Sequence, residues 1–161
     1  MRQYLEVLKY IMENGIDKPN RTGIDARSVF AMPMRFKMAD GFPAMTTKKL
    51  AWKSVVSELL WFIEGSSDER RLSEILHGSR DSAKTTIWTA NAQAPFWKPK
   101  ARFAGDLGRV YGVQWRSWKI SDGREIDQLK DVIERIKKDP YDRRLIVSAW
   151  NPGELDRMAL P

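Results

Sequence analysis

Hydrophobic positions near the start of the chain recur at the spacing of an amphipathic helix. Across residues 2–14 the apolar side chains fall on one helical face: Tyr4, Leu5, Leu8, Ile11 and Met12. Gly15 follows directly, and glycine commonly ends a helix. The spacing therefore predicts a first helix over residues 2–14.

Short apolar runs and breaks follow this helix. Residues 26–38 (ARSVFAMPMRFKM) predict two short strands, with Pro33 marking a break or a sheet edge. A longer apolar run predicts a helix over residues 46–65, which begins at a threonine cap and ends at Gly65. A further helix is expected over residues 67–76.

The second half of the chain combines one clear helix with less regular segments. Residues 78–108 contain scattered prolines and glycines and predict no long element. Residues 124–139 predict an amphipathic helix that Pro140 closes. Residues 143–150 (RRLIVSAW) are apolar on both faces and predict a buried strand, after which Asn151 caps one short helical turn. Helices and strands in this mixture predict an α/β or α+β fold.

Composition narrows the class of protein. With 161 residues, 42% hydrophobic and 30% charged, the chain fits one globular domain. It has no cysteine, so disulfides and thiolate metal sites are excluded, and no metal is expected. No apolar run is long enough to cross a membrane and no signal peptide is evident, so we expect a cytoplasmic protein.

The formal net charge of +7 indicates an anionic partner. Nucleic acid and a phosphorylated or polycarboxylate small molecule both remain open. Because the basic residues are scattered and match no zinc-finger or RNA-binding signature, nucleic acid is the less favoured of the two.

Glu58 lies in the middle of the predicted helix over residues 46–65, among apolar neighbours. Helical spacing places it on one face with Phe62, while Leu59 and Trp61 cover the rest of the circumference. A carboxylate in such surroundings is costly unless it is hydrogen-bonded, paired or lining a cavity. It is either a proton-relaying group in a site or a structural carboxylate paired with an arginine or a backbone amide.

Arginines in two places could bind an anion. Arg143 and Arg144 begin the predicted strand, where adjacent side chains point to opposite faces. The pair therefore either solvates an edge or meets an anion at an interface. Arg21 lies in the sequence NRTG, and a guanidinium fork suits phosphate oxygens. The alternative for each is an ordinary surface arginine.

The segment GDLGRVYGVQWRSW, residues 105–118, brackets Tyr111 with glycines. Its spacing is neither a Rossmann nor a P-loop pattern. Its aromatic side chains either line a pocket for a planar ligand or belong to the core. His77, the only histidine, has no partner with which to build a catalytic triad.

Several long blocks of the sequence resemble thymidylate synthases, in the order in which the family has them. The blocks are QYLEVLKYIMENG, NRTG, GFPAMTTKK, SELLWFIEGSS, TIW, GDLGRVYGVQWRSW, IDQL and DRRLIVSAWNPGELDRMALP. The resemblance implies one thymidylate synthase-like domain over residues 1–161, with a mixed β-sheet packed with helices. It also implies that these residues are the N-terminal portion of that fold, incomplete at the C-terminus.

The resemblance implies a reaction as well. Family enzymes are homodimers that convert dUMP to dTMP with 5,10-methylenetetrahydrofolate, which supplies a one-carbon unit and a hydride. A cysteine thiolate first adds to the uracil ring. In the family, MALP leads into the Pro-Cys-His segment that carries this cysteine. We therefore expect this sequence to stop just before the nucleophile, and activity to need the C-terminal half.

The resemblance assigns the arginines to phosphate binding. Arg21 matches the phosphate-binding arginine of the RTG loop. Arg143 and Arg144 match a pair that reaches across the dimer to the partner subunit's phosphate site. Such an interface role would explain why two adjacent arginines are needed.

The resemblance also implies a catalytic role for Glu58 and Tyr111 and a cofactor-binding role for Trp88. Glu58 matches the glutamate that orders water and assists proton transfer at the pyrimidine. Trp88 matches the tryptophan beside the folate ring, and Tyr111 the tyrosine near the reacting carbon. One departure adjoins Trp88: many members have aspartate where this chain has Thr89.

Two alternatives to a synthase remain open at the level of sequence. A hydroxymethylase of the same superfamily, acting on dUMP or dCMP, would be distinguished only by residues beyond Pro161. A non-catalytic chain that binds nucleotides, or dimerises with a full-length enzyme, is the other.

Overall fold

The chain divides into two units, Met1–Leu50 and Ala51–Pro161. The computed structural model describes residues 1–20, 23–81 and 83–160. Both units contain helices and a small antiparallel sheet, which is the mixed class that the sequence predicts. The single domain expected over residues 1–161 stays a prediction.

A helix and a two-stranded sheet build the first unit. Helix α1 spans Arg2–Asn14, as the apolar spacing predicts. Strands β1 (Ile16–Lys18) and β2 (Ala26–Ser28) pair antiparallel. The Arg27 guanidinium joins the two strands, donating to both carboxylate oxygens of Asp17 at 2.7 and 2.8 Å.

Two consecutive helices open the second unit. Helix α2 spans Trp52–Glu64 and ends at Gly65, whose left-handed backbone (φ 72°) favours glycine. It begins later than the predicted threonine cap, and Ala51 takes the N-cap position without a side-chain hydrogen bond. Helix α3 spans Glu69–His77, close to the helix expected over residues 67–76, and Asp68 caps it.

Shorter elements complete this unit. They are α4 (Thr89–Ala92), α5 (Tyr111–Arg116), β3 (Trp118–Lys119), β4 (Glu125–Ile126) and α6 (Gln128–Lys138). Strands β3 and β4 pair antiparallel. Short 3-10 segments lie at Met38–Asp40 in the first unit and at Lys98–Lys100 and Pro152–Arg157 in the second. The last is capped by Asn151, as predicted.

The core of the second unit surrounds the glycine-bracketed segment. Leu107 is fully buried; its N–H donates to the Ser67 carbonyl at 2.9 Å, and its carbonyl accepts from the Ala159 N–H at 2.9 Å. The buried apolar residues are Trp61, Leu72, Trp88, Ala92, Trp97, Leu107, Val110, Met158 and Ala159. Backbone hydrogen bonds on both sides therefore fix the segment that leads into α5.

Two strand predictions were wrong. Residues 143–150 form no strand, and within residues 26–38 only β2 forms. A strand exists through hydrogen bonds to a neighbouring strand, and no described segment pairs with these residues. The predicted burial of residues 143–150 was wrong too, since Ile146 and Trp150 are 70% and 55% exposed. Apolar content in a segment does not show which other segment pairs with it.

The amphipathic prediction for α6 was right about the helix and wrong about its burial. Ile133 and Ile136 are 50% and 47% exposed, and Ile126, which was predicted within this helix, lies in β4 and is 39% exposed. The spacing of apolar residues defines a face but does not reveal what covers it. Among the described residues, no helix is both long enough and apolar enough to cross a membrane.

Candidate functional site

Glu58 and Trp88 meet within the second unit. The Trp88 indole Nε1–H donates a hydrogen bond to Glu58 Oε1 at 2.6 Å. Within the described part of the chain this is the only side-chain hydrogen bond of Glu58, so its Oε2 is available to water or a ligand. Glu58 is half-buried, where the sequence indicated deeper burial. It is hydrogen-bonded to an indole, not paired with an arginine.

Aromatic neighbours hold the Trp88 ring. Trp88 is only 6% exposed, and its ring centroid lies 5.7 Å from Trp61, 6.0 Å from Phe62 and 5.8 Å from Tyr111. Its contacts with Phe62 and Tyr111 are edge-to-face, an arrangement that aromatic quadrupoles favour. The indole N–H is therefore held in one direction, toward Glu58.

Tyr111 reaches this cluster because α5 packs directly on α2. A Cβ atom at Gly112 would lie 2.6 Å from the carbonyl oxygen of Phe62 and 2.7 Å from its Cα, so only glycine permits the approach. The rings of Phe62 and Tyr111 then meet at 5.6 Å. The structure thus brings Glu58, Trp88 and Tyr111 together, and Phe62 shares the face of Glu58 that helical spacing predicts.

Arg143 and Arg144 are not part of this aromatic cluster. Arg143 and Arg144 are exposed in a turn after α6, not at the start of a strand. Asp142 shapes this turn by accepting from the Arg144 backbone N–H at 2.9 Å. Among the described residues, no hydrogen bond or ion pair joins either arginine to the aromatic cluster. Arg21 lies outside the described residues.

Sequence reasoning missed a buried carboxylate at Asp106, which is 1% exposed. Its Oδ2 accepts from Arg102 Nε at 2.8 Å, and its Oδ1 from Ser67 Oγ at 2.7 Å and from the Gly108 N–H at 3.0 Å. Burial by itself would raise the pKa of Asp106, but these hydrogen bonds hold it well below its ordinary value. An aspartate between two glycines in GDLG was the available signal.

A second missed carboxylate is Glu154, 6% exposed. Its Oε2 accepts from Gln114 Nε2 and from Arg109 Nε, each at 2.9 Å. Burial opposes ionisation of Glu154, but the hydrogen bonds from Gln114 and Arg109 lower its pKa below the ordinary value. Nothing in the local sequence distinguishes this glutamate from a surface one.

A cavity of about 630 Å³ lies between these two ion pairs. Its lining includes Arg102, Asp106, Arg109 and Glu154 and none of Glu58, Trp88 and Tyr111. In this lining Arg102 is paired with Asp106 and Arg109 with Glu154, so these two buried carboxylates already have cationic partners. We therefore place the candidate site at the aromatic cluster. The described residues contain no group of three or more carboxylates or histidines that could hold a metal ion.

Comparison with known proteins identifies the family of this chain. The family model for thymidylate synthase matches residues 2–161. The chain is similar to the crystal structure of thymidylate synthase from T4 phage, with 45% sequence identity and a TM-score of 0.85. That match covers 100% of this chain and 54% of the phage protein, so this chain spans about half its length.

These matches first establish the fold, which is that of the thymidylate synthases. The chain belongs to the thymidylate synthase family. The resemblance inferred from its sequence blocks is thereby confirmed. The roles of Glu58, Tyr111, Trp88, Arg21, Arg143 and Arg144 remain to be tested.

Proposed function

We propose that the whole protein, meaning these 161 residues with any others encoded with them, converts dUMP to dTMP by reductive methylation. The one-carbon unit and the hydride come from methylenetetrahydrofolate. Family membership supports the reaction class. The observation that carries the proposal is the Trp88–Glu58 hydrogen bond beside Tyr111, at residues that match the family's site positions.

Glu58 handles protons at the pyrimidine in this proposal. One carboxylate oxygen is fixed by the indole N–H, while Oε2 has no hydrogen-bond partner among the described side chains. A carboxylate held in one orientation, with one oxygen available, can order a water molecule and pass a proton to or from a bound ring. Tyr111 extends the same cluster, near the reacting carbon.

Trp88 contributes an apolar edge for the folate ring. Its N–H donates to Glu58 and only 6% of the residue is exposed, so it offers a narrow apolar edge and no hydrogen bond. The adjoining Ile87 is 83% exposed and widens this apolar surface. A planar ring fits such a surface, and bound methylenetetrahydrofolate would supply the transferred carbon and hydride.

Arg21, Arg143 and Arg144 bind the nucleotide phosphate, the latter two across a homodimer. The exposure of Arg143 and Arg144 supports this role, because both guanidinium groups can reach a ligand on another subunit. Among the described residues neither arginine bonds to Glu58, which also agrees with action on a partner's site.

The nucleophile must come from outside these residues. The 161 residues contain no cysteine. A serine or threonine would need an activating base, and among the described residues no serine or threonine hydroxyl donates a hydrogen bond to Glu58 or His77. We propose that a cysteine thiolate on the same or another chain completes the site.

The whole protein incubated with dUMP and methylenetetrahydrofolate tests the function. We expect dTMP and dihydrofolate in equal amounts. Hydroxymethylated nucleotide with tetrahydrofolate would instead identify a hydroxymethylase, and nucleotide binding without turnover would support the non-catalytic alternative. Turnover by the 161-residue chain alone would contradict an external thiolate.

A further inference from the structure

We propose that Glu69, Thr86 and Thr89 form a clamp that positions Trp88 for its contact with Glu58. Glu69 is the first residue of α3, while the two threonines flank Trp88 closely in sequence. None of the three touches Glu58 in the described hydrogen bonds, so they act as positioning residues. We call this set the Glu69 clamp.

The clamp holds the chain on both sides of Trp88. Glu69 Oε1 accepts from Thr86 Oγ1 at 2.7 Å and from Thr89 Oγ1 at 2.6 Å. Thr86 Oγ1 in turn accepts from the Trp88 backbone N–H at 3.1 Å. One carboxylate oxygen therefore fixes the residues before and after the indole, and the backbone of Trp88 itself.

Thr89 closes the turn from its own side. Its Oγ1 accepts from the Thr86 backbone N–H at 2.8 Å while donating to Glu69. The hydroxyl is thus both donor and acceptor, a combination that neither valine nor alanine offers. Thr89 is 8% exposed, so water cannot readily take over these bonds.

Arg70 connects the Glu69 clamp by hydrogen bonds to the irregular segment that precedes Thr86. Its guanidinium donates to Glu69 Oε2 from Nε at 2.6 Å, and to the carbonyls of Asp81 and Lys84 at 2.8 and 2.9 Å. Glu69 is 1% exposed, and a carboxylate buried to this extent is tolerated when all its partners are in place. The conformation of the chain that leads to Trp88 therefore depends on the buried carboxylate of Glu69 and its hydrogen bonds.

If these residues only stabilised the fold, their hydrogen bonds would not need to control the direction of the Trp88 indole. The clamp differs because its bonds converge on Thr86, Trp88 and Thr89, whose backbone sets where Nε1 points. The exposed Ile87 lies inside the same turn and takes no part in the core. The clamp therefore sets both the hydrogen bond to Glu58 and the apolar surface next to it.

The consequence for catalysis rests on the proposed function, whereas the orientation of Trp88 can be measured without it. In the whole protein, hydrogen exchange of the Trp88 indole N–H is followed by NMR on isotope-labelled tryptophan, the resonance being assigned by Trp88→Phe. Thr89→Val keeps the shape and removes the hydroxyl, Thr89→Ser retains it, and Thr85→Val changes an exposed threonine as a control.

We expect exchange at the Trp88 indole to speed up about tenfold or more in Thr89→Val, and to change little in Thr89→Ser and Thr85→Val. The KM for methylenetetrahydrofolate should rise about fivefold in Thr89→Val, with the KM for dUMP within about twofold of wild type. If Thr89→Val does not fold, Thr86→Val is measured in its place, with the same expected result.

Unchanged indole exchange in the folded valine variant would overturn the clamp, whatever the enzyme does. Equal acceleration in Thr89→Ser and Thr89→Val would also overturn it, because the hydroxyl would then be irrelevant. Failure of wild type to turn over would contradict the proposed function instead, and would leave the exchange result as the test of the clamp.

Discussion

The indole N–H of Trp88 donates to Glu58 at 2.6 Å, joining residues 30 positions apart in the chain. A hydrogen bond to an ionised acceptor contributes about 1.5–3 kcal/mol, roughly twice a neutral one. The contact fixes the orientation of a carboxylate whose other oxygen has no described side-chain partner. It therefore connects the folate-side tryptophan of the proposed site to its proton-handling group.

Replacing the indole tests this connection. Trp88→Phe keeps an aromatic ring against Phe62 and Tyr111 but removes the only hydrogen-bond donor to Glu58 among the described side chains. We expect kcat of the whole protein to fall about tenfold to a hundredfold, the equivalent of one charge-assisted hydrogen bond. Steady-state kinetics with both substrates measures it.

A matched tryptophan provides the control. The Trp97 indole N–H donates to the Asp106 carbonyl at 2.7 Å and the residue is 3% exposed, but it has no contact with Glu58. Trp97→Phe should lower the free energy of unfolding and leave kcat of the folded protein within about twofold. An equal loss of kcat in both variants would show that removing any buried indole lowers kcat, whether or not it contacts Glu58.

Gly112→Ala tests the packing that places Tyr111. The added methyl would meet the Phe62 backbone at 2.6 Å, which cannot yield as a side-chain end would. We expect a loss of about 1–3 kcal/mol in the free energy of unfolding, measured by denaturant titration. Gly153→Ala, whose Cβ would meet Asn151 Oδ1 only at 3.5 Å, should change stability by less than about 0.5 kcal/mol.

Asp106 should make stability depend on pH. Its pKa is held below its ordinary value in the folded state, so its contribution is present above the unfolded pKa of about 3.9 and is lost as pH falls through the folded pKa. Asp106→Asn should therefore cost about 1–3 kcal/mol near neutral pH, and the difference from wild type should shrink on acidification below about pH 4.

Denaturant titrations across pH measure this difference. Asp156→Asn removes the charge of an exposed carboxylate on the same unit and should leave the curve nearly unchanged. A difference between Asp106→Asn and wild type that stayed constant down to acid pH would mean that ionisation of Asp106 does not stabilise the fold.

Mixed dimers test whether Arg144 acts on a partner's site. Glu58→Gln removes the proton-handling carboxylate of the proposed site, and Arg144→Ala removes a phosphate-binding guanidinium. Neither homodimer should turn over well. In a mixed dimer, the subunit with intact Glu58 would receive Arg144 from the other, so one normal site should be restored. Arg124→Ala, which changes another exposed arginine, is the control. No recovery on mixing would place Arg144 in the site of its own subunit.

Local patterns predicted the helices well. The predicted helices over residues 2–14 and 67–76 correspond to α1 and α3, because the short-range spacing of apolar residues largely determines where a helix forms. Residues 143–150 were wrongly predicted as a strand, since pairing depends on a distant partner that a local pattern does not contain.

For the candidate site, too, the local sequence predicted some features and not others. An isolated carboxylate on an apolar helix drew attention to Glu58, but nothing local indicated that Trp88 is its hydrogen-bond partner. Glu69 was overlooked because its hydrogen-bond donors, Thr86 and Thr89, lie 17 and 20 positions away in the chain. The resemblance to a family identified site positions, whereas the contacts among them required the fold.

The most direct test of the account is kcat of Glu58→Gln in the whole protein, compared with wild type at saturating substrates. The amide keeps the shape and can still accept from the Trp88 indole, but it cannot relay a proton. We predict that kcat falls by about a hundredfold or more, while the dissociation constant for dUMP stays within about twofold. Unchanged kcat would contradict the account and leave Glu58 a structural partner of Trp88.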